Sequence, residues 1–227
     1  MCYHSISNNG WRYSVTSKNF KKQLNFLKKN FKIISLSDLD QFLSGKKEIN
    51  SPSVVITFDD GYKNILSVID LFNDIKAKPT IFIISNSSQS NRKELESNLK
   101  FLSIKDIKKL TSMGWEIGSH TATHPNMVHL SDSQLFEEIK NSKMTIEKKI
   151  NRKVRYIAYP KGKYNDNIVD MVKKSGYSLG LTMDDGEINI HTNKFMVPRI
   201  GVDGTHSFAE FKYLHYPLLS RLRKLLK

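Results

Sequence analysis

The chain has 227 residues, 39% of them hydrophobic, with 36 Lys and Arg against 22 Asp and Glu for a formal charge of +14, and a single Cys. That length suits one large domain, the 12 Phe, 9 Tyr and 2 Trp supply a core that excludes disorder as the main state, and one Cys excludes an intramolecular disulfide framework. The cations are mostly dispersed Lys, with only 7 Arg, which argues against a nucleic-acid partner and leaves an anionic lipid or glycan as what the charge would attract.

Taken in chain order, short apolar and β-branched runs predict strands at 1–6, 31–36, 53–58, 80–84, 115–119, 156–159, 177–182 and 195–200. Helical spacing of apolar residues lies between most of them. Over 18–30 it places Phe20, Leu24 and Leu27 on one face, and from Ser131 a long helix puts Leu135, Ile139 and Ile146 on its buried side. Ser131 and Gln134 form a capping box at its start. The polar stretch 85–98 reads as an excursion, a loop or lid. Such alternation predicts parallel strands with helices outside, in a barrel or an open doubly wound sheet. No uncharged run reaches the ~18 apolar residues of a membrane span, and the opening MCYHSISNNGW has no basic and apolar leader. The chain as written is therefore expected in the cytoplasm or peripheral to the inner membrane, and exported if a leader precedes it.

Both architectures place active sites in loops at the carboxyl ends of strands, where the polar clusters of this chain fall. Asp59, Asp60 and Gly61 follow SVVITF. His120 and His124 follow WEIGS, Pro160 and Gly162 follow YIAY, and Arg199 lies in MVPRI. Two adjacent carboxylates after a buried strand repel each other unless a cation or a shared proton neutralises them; alone, either could cap the next helix. His120 and His124, four residues apart and stopped by Pro125, have the spacing of two imidazoles on one ion. One Asp with two His leaves open positions and suits catalytic Zn²⁺, with Co²⁺, Ni²⁺ or Mn²⁺ as alternatives. Zinc lowers the pKa of a bound water from ~15.7 towards ~7, and a second carboxylate beside it can act as general base.

TFDDG at 57–61, HTATH at 120–124 and YPKG at 159–162 resemble, in order and spacing, the successive motifs of the NodB-like polysaccharide deacetylases, carbohydrate esterase family 4. The opening MCYHSI and the following YSVTSKNFKKQLNFLKKNFKIISLSDL look like the branch that includes the bacterial poly-N-acetylglucosamine deacetylases. The resemblance covers nearly the whole chain as one catalytic domain, 1–227. It implies a distorted (β/α)7 TIM-like barrel, the NodB homology domain, and metal-dependent removal of N-acetyl, sometimes O-acetyl, groups from sugars. Carried over by position, Asp59 is the general base, Asp60, His120 and His124 hold the metal, and the backbone N–H of Tyr159 helps bind the oxyanion.

Two positions depart from the family pattern. The third motif commonly begins with an Arg that orients the base, but here Ala158 stands there; Arg199 is expected to supply the missing cation. The late His that protonates the departing amine has no clean equivalent. His206 in GVDGTHSF is the candidate, with a water or His4 as alternatives. Asp184 and Asp185 read as a turn with solvated carboxylates, and His129, His191 and His215 as structural or exposed. Tyr62 and Tyr164 are placed to border a sugar site, where aromatic faces can stack on pyranose rings.

In the tail, Leu218, Leu219, Leu222, Leu225 and Leu226 fall opposite Arg221, Arg223, Lys224 and Lys227, so 213–227 is expected to form a basic amphipathic C-terminal helix. It would lie on an anionic membrane or cover the barrel exterior. The sequence thus points to a metal-dependent N-deacetylase of amino sugars in a cell-surface polysaccharide or its lipid-linked precursor. The alternatives are an O-acetyl esterase or other amide hydrolase on the same barrel, and a non-catalytic glycan- or membrane-binding module.

Overall fold

The computed structural model describes residues 1–90, 95–96 and 98–216. Along them the elements run β1 (Cys2–Tyr3), β2 (Ser5–Ile6), β3 (Ser14–Val15), α1 (Ser17–Asn30), β4 (Lys32–Ile33), α2 (Leu36–Leu43), β5 (Ser53–Val54), β6 (Thr57–Phe58), α3 (Ile69–Asn73), β7 (Thr80–Ile83), α4 (Ile104–Ser112), β8 (Glu116–Ser119), α5 (Asp132–Phe136), α6 (Ser142–Ile150), β9 (Tyr156–Ala158), α7 (Asp166–Lys174), β10 (Leu179–Leu181) and α8 (Phe208–Tyr213). Six strands form one curled sheet in the order β1-β6-β7-β8-β9-β10, parallel throughout.

The run expected as a strand at 195–200 forms no ladder, yet it bridges both edges of this sheet. Val197 pairs with Leu181 and Gly201 with Cys2, both in parallel sense. Val197 N–H donates to Gly180, and Cys2 N–H donates to Ile200. Pro198, between these contacts, has no N–H to give, so a continuous ladder cannot form. This segment is the seventh stave, which matches the distorted (β/α)7 barrel expected from the sequence.

Two other expected strands are each divided. In 1–6, β1 joins the barrel beside β6 while β2 pairs with β3; in 53–58, β5 pairs with β4 and only β6 enters the barrel. A run of uniform β propensity carries no mark of where it changes partner.

Helix α1 buries Phe20, Leu24 and Leu27 as its spacing predicts, and starts where Thr16 Oγ1 accepts from Asn19 N–H. Each such burial is worth about 1.5–3 kcal/mol. The helix predicted from Ser131 is present with its capping box, but α5 and α6 are joined by a π turn, Glu137–Asn141. At the amino end of the barrel, Glu116 on β8 accepts from the N–H groups of Leu36 and Ser37 and from Thr80 Oγ1, at 2.8–3.0 Å. This anion fixes the N-terminus of α2 beneath the strands. Gly118 on β8 makes room for Phe82, since a Cβ there would lie 2.4 Å from that ring. Helix α8 ends at Tyr213, so residues 214–216 do not continue it, and 217–227 of the expected tail helix lie outside the described residues. Among the described residues no helix is long and apolar enough to cross a membrane.

Candidate active site

The carboxyl ends of β1, β6, β8 and β9 open into a cavity of about 630 Å³, whose wall includes His4, Asp59, Asp60, His120, His124 and His206. After β6, Asp59 N–H still donates to Tyr3 on β1. The next two residues, Asp60 and Gly61, both have positive φ, 66° and 76°. That left-handed turn directs the second carboxylate towards the same mouth as the first, and Gly61 has no room for a Cβ, which would sit 2.9 Å from Ile83. After β8, Thr121 and His124 are also left-handed, at 66° and 64°. A β-branched residue pays a steric penalty there. Thr121 Oγ1 accepts from His124 N–H, and Ser119 Oγ accepts from Thr121 N–H.

These turns bring Asp60, His120 and His124 together, with one donor atom of each within 4.8 Å of the others. The imidazole Nε2 atoms of His120 and His124 lie 3.5 and 3.6 Å from Asp60 Oδ1. That oxygen is buried and has no hydrogen-bond partner among the described residues. Burial, and then the neighbouring Asp59 charge, push the Asp60 carboxyl well above the usual carboxylate range. Burial pushes both imidazoles down, His124 to about 3, so they are neutral with lone pairs available. His120 Nδ1 is 2.8 Å from the Ala158 carbonyl, which can only accept. The ring proton is therefore on Nδ1 and the Nε2 lone pair faces Asp60. A buried carboxyl whose ionised form needs a positive partner, beside two neutral imidazoles, is a donor set that fits a divalent cation.

Asp59 is treated differently. The Arg199 guanidinium grips it with both nitrogens, Nη1 to Oδ1 and Nη2 to Oδ2, each at 2.7 Å. Nη1 also reaches Thr57 Oγ1, and Nε donates to the Thr182 carbonyl. Burial alone would raise the Asp59 carboxyl, but the charge and hydrogen bonds of Arg199 outweigh it and hold it well below the usual range. The fork leaves Asp59 ionised and fixed in orientation, with Oδ2 3.9 Å from His120 Nε2. Arg199, expected as the substitute for the Arg missing at Ala158, thus lies against Asp59, the carboxylate expected as the base.

His206 lines the cavity, and its Nδ1 lies 3.2 Å from Asp203 N–H and 3.3 Å from Asp203 Oδ1. Asp203 N–H donates to this nitrogen. His4 Nδ1 is buried without a partner among the described residues, and burial pushes that imidazole down to about 4. Cys2, His4 and Asp59 also gather donor atoms within 4.8 Å. Both Asp59 oxygens are taken by Arg199, however, and burial pushes the thiol up, so no thiolate is offered there.

Three expectations are corrected. The N–H of Tyr159 is not open to an oxyanion, because it extends the β9–β10 pairing by donating to the Leu181 carbonyl at 3.0 Å. Asp185 is not solvated: it is 2% exposed and lines the cavity, while Asp184 accepts from Tyr164 OH. Tyr62 is fully buried and stacks on Phe101, and Tyr164 stacks on Tyr159; neither lines the cavity.

Sequence reasoning missed Glu138, Lys161, Trp11 and Tyr13. Glu138, in the π turn, accepts from Ala122 N–H, Thr123 N–H and Thr123 Oγ1 at 2.7–2.9 Å and so clamps the HTATH loop. Its place in a helix face gave no signal. Lys161 lines the cavity at φ 59°, one residue past the Pro of YPKG. Trp11 and Tyr13 line its rim.

The comparisons agree with this geometry. The sequence profile of the family described as polysaccharide deacetylase matches residues 46–180. The poly-beta-1,6-N-acetyl-D-glucosamine N-deacetylase of Staphylococcus aureus strain MRSA252 is 30% identical over 204 residues, covering 83% of this chain and 67% of that protein. A solved polysaccharide deacetylase from Bacillus cereus superposes with a TM-score of 0.78 at 25% identity, over 95% of this chain and 67% of the other. The Streptococcus pyogenes deacetylase PplD, solved with acetate, has the same fold, with a TM-score of 0.81 at 24% identity over 96% of this chain and 97% of the other. The chain belongs to the polysaccharide deacetylase family.

Proposed function

We propose that this protein is a divalent-metal-dependent hydrolase that removes N-acetyl groups from amino sugars of a cell-surface polysaccharide or its lipid-linked precursor. The observation that carries this reading is the unpartnered, buried Asp60 Oδ1 between the two imidazole nitrogens, beside a second carboxylate locked by Arg199. Asp60, His120 and His124 would hold the ion, with Zn²⁺ the best match to two nitrogens and one oxygen and Co²⁺, Ni²⁺ or Mn²⁺ also compatible. When bound, it supplies Lewis-acid polarisation and acidifies a water.

The chain's own groups do the rest. Asp59, ionised and aimed by Arg199, takes a proton from the water as its oxygen bonds to the acetamide carbonyl carbon. His206, whose Nδ1 lies 3.3 Å from Asp203 Oδ1, would give a proton to the sugar nitrogen as the C–N bond breaks, releasing acetate and an amino sugar.

Acetate release from N-acetylglucosamine oligomers by purified protein tests the reading, with Asp59→Asn as control. The expected loss in that variant is ~10²- to 10⁴-fold, the usual contribution of a general base. Acetate from O-acetylated glycans alone would favour an esterase, and none from any acetylated glycan would favour a binding module.

A further inference from the structure

A second cavity, of about 500 Å³, lies beside α2. Its lining residues Met1 and Val55 precede β1 and β6, the strands whose other ends carry the catalytic groups, so it belongs to the opposite end of the barrel. The apolar core falls into two clusters, and both of them line this space. Leu27, Phe31, Val54 and Ile200 do so from the first, and Leu36, Leu39, Phe42 and Ile188 from the second. Protein interiors leave few voids larger than a water molecule, and an apolar space of this size is costly while nothing fills it. Its volume, and an apolar lining with a few polar groups, are those of a small-molecule site.

The charges around it are mostly positive. Lys28 and Lys29 are exposed in the last turn of α1, between the lining residues Leu27 and Phe31. Lys32 follows, also exposed, its N–H donating to the carbonyl of Pro52, another lining residue. Helix α1 carries five Lys and no acid along its 14 residues. Among the described residues Glu187, itself exposed, is the one acid in the lining. His215 also lines the cavity; its Nδ1 is buried with no hydrogen-bond partner among the described residues, and its ring meets Phe31 edge-on at 4.9 Å. Thr57 and Arg199 form a buried part of the wall, where the Arg199 charge is already matched by Asp59.

We propose that this cavity binds a linear fatty-acid anion, its hydrocarbon chain lying between the two apolar clusters and its carboxylate beside Lys29, Lys32 and the His215 ring. The lysines call for an anionic head, His215 Nδ1 can serve it as a hydrogen-bond donor, and the gap between two packed clusters suits one unbranched chain. Binding here does not depend on which reaction the other end carries out. Arg199 connects the two ends, because it lines this cavity while it grips Asp59 in the catalytic one. A bound chain therefore lies against the side chain that orients that carboxylate.

Titration calorimetry of the full chain with octanoate, decanoate and dodecanoate, each below its micelle concentration, tests the site. Affinity should rise about fourfold for each added methylene, with one anion bound per chain. Lys29→Glu combined with Lys32→Glu should weaken binding about tenfold and leave the increment per methylene unchanged. Ile188→Trp, which puts a large ring into the cavity from a loop, should abolish binding. Dodecanoate should raise the melting temperature of the unaltered protein and leave that of Ile188→Trp where it is, the cooperative transition of the variant showing that it folds. Affinity that does not change with chain length, or binding that survives Ile188→Trp, would place the anion elsewhere on the molecule and overturn the site. Binding that appears only after residues 217–227 are removed would give the cavity to that segment and overturn the fatty-acid ligand, and so would the absence of binding by all three anions.

Discussion

Arg199 and Glu138 act on the site through other residues, and each supports a separate test. Removing Arg199 would leave Asp59 as a buried anion with no counter-charge, a change that typically costs about 3–5 kcal/mol. Arg199→Ala should therefore lower stability by roughly that amount in urea titrations, and Asp59→Ala in the same chain should recover much of it. If the single and double variants are equally unstable, the pair is not what holds these residues in place. Turnover in Arg199→Ala should drop sharply while metal binding survives. Glu138 fixes the backbone from which both imidazoles project. Glu138→Ala should weaken divalent metal binding about 10- to 100-fold, read by competition with a chromophoric chelator, and unchanged affinity would limit Glu138 to a structural role. The four residues Asp59, Asp60, His120 and His124 were legible because each pair sits in one short motif after a strand. Arg199 was legible only as a cation sought for Asp59. Glu138, 16 residues beyond Ala122 and on a helix, left no trace in the sequence, because its role comes entirely from how α5, α6 and the π turn pack.

Among the elements, α2 shows how a local signal becomes a stability effect. Ser35 and Asp38 form its capping box, and Asp38 is also bonded by Lys47. Burial raises the Asp38 carboxyl, but the bonds from Lys47 and Ser35 outweigh it and bring it down to about 2. A carboxyl lowered on folding contributes stability that is complete above its ordinary value and is lost as pH falls through the folded value. Asp38→Asn should therefore flatten the decline in unfolding free energy below pH 4, and an unaltered acid limb would show that the bonds do not form in solution. On β8, Gly118→Ala would force a methyl into the Phe82 ring, for an expected loss of about 1–3 kcal/mol. Helix α1 and the cap at Ser131 were readable because periodicity and capping residues are local. The divided strands at 1–6 and 53–58 were not, since a change of pairing partner is decided by the rest of the sheet, and the stave at 195–200 lost its ladder to Pro198.

At the scale of the whole molecule, parallel strands close around a buried Arg–Asp pair and present all the candidate chemistry at one end. Alternation of strand and helix made parallel strands with helices outside legible, and the family resemblance made them a barrel of seven, but the loop of Trp11 and Tyr13, which reaches the site only through the fold, was not legible. Phe208, Tyr213 and Tyr216 are 39%, 51% and 49% exposed just before the basic and apolar run that starts at Pro217. Sedimentation with phosphatidylglycerol vesicles should carry the protein down at low salt and lose it when residues 217–227 are removed; binding that survives the deletion would rule that segment out as the membrane contact. The account as a whole depends on Asp60, His120 and His124 sharing one ion. Its most direct test is acetate release from an N-acetylglucosamine tetramer by chelated protein as Zn²⁺ is titrated back. Activity should be absent at the start and recover fully near one equivalent, whereas undiminished release by the metal-free protein would contradict it.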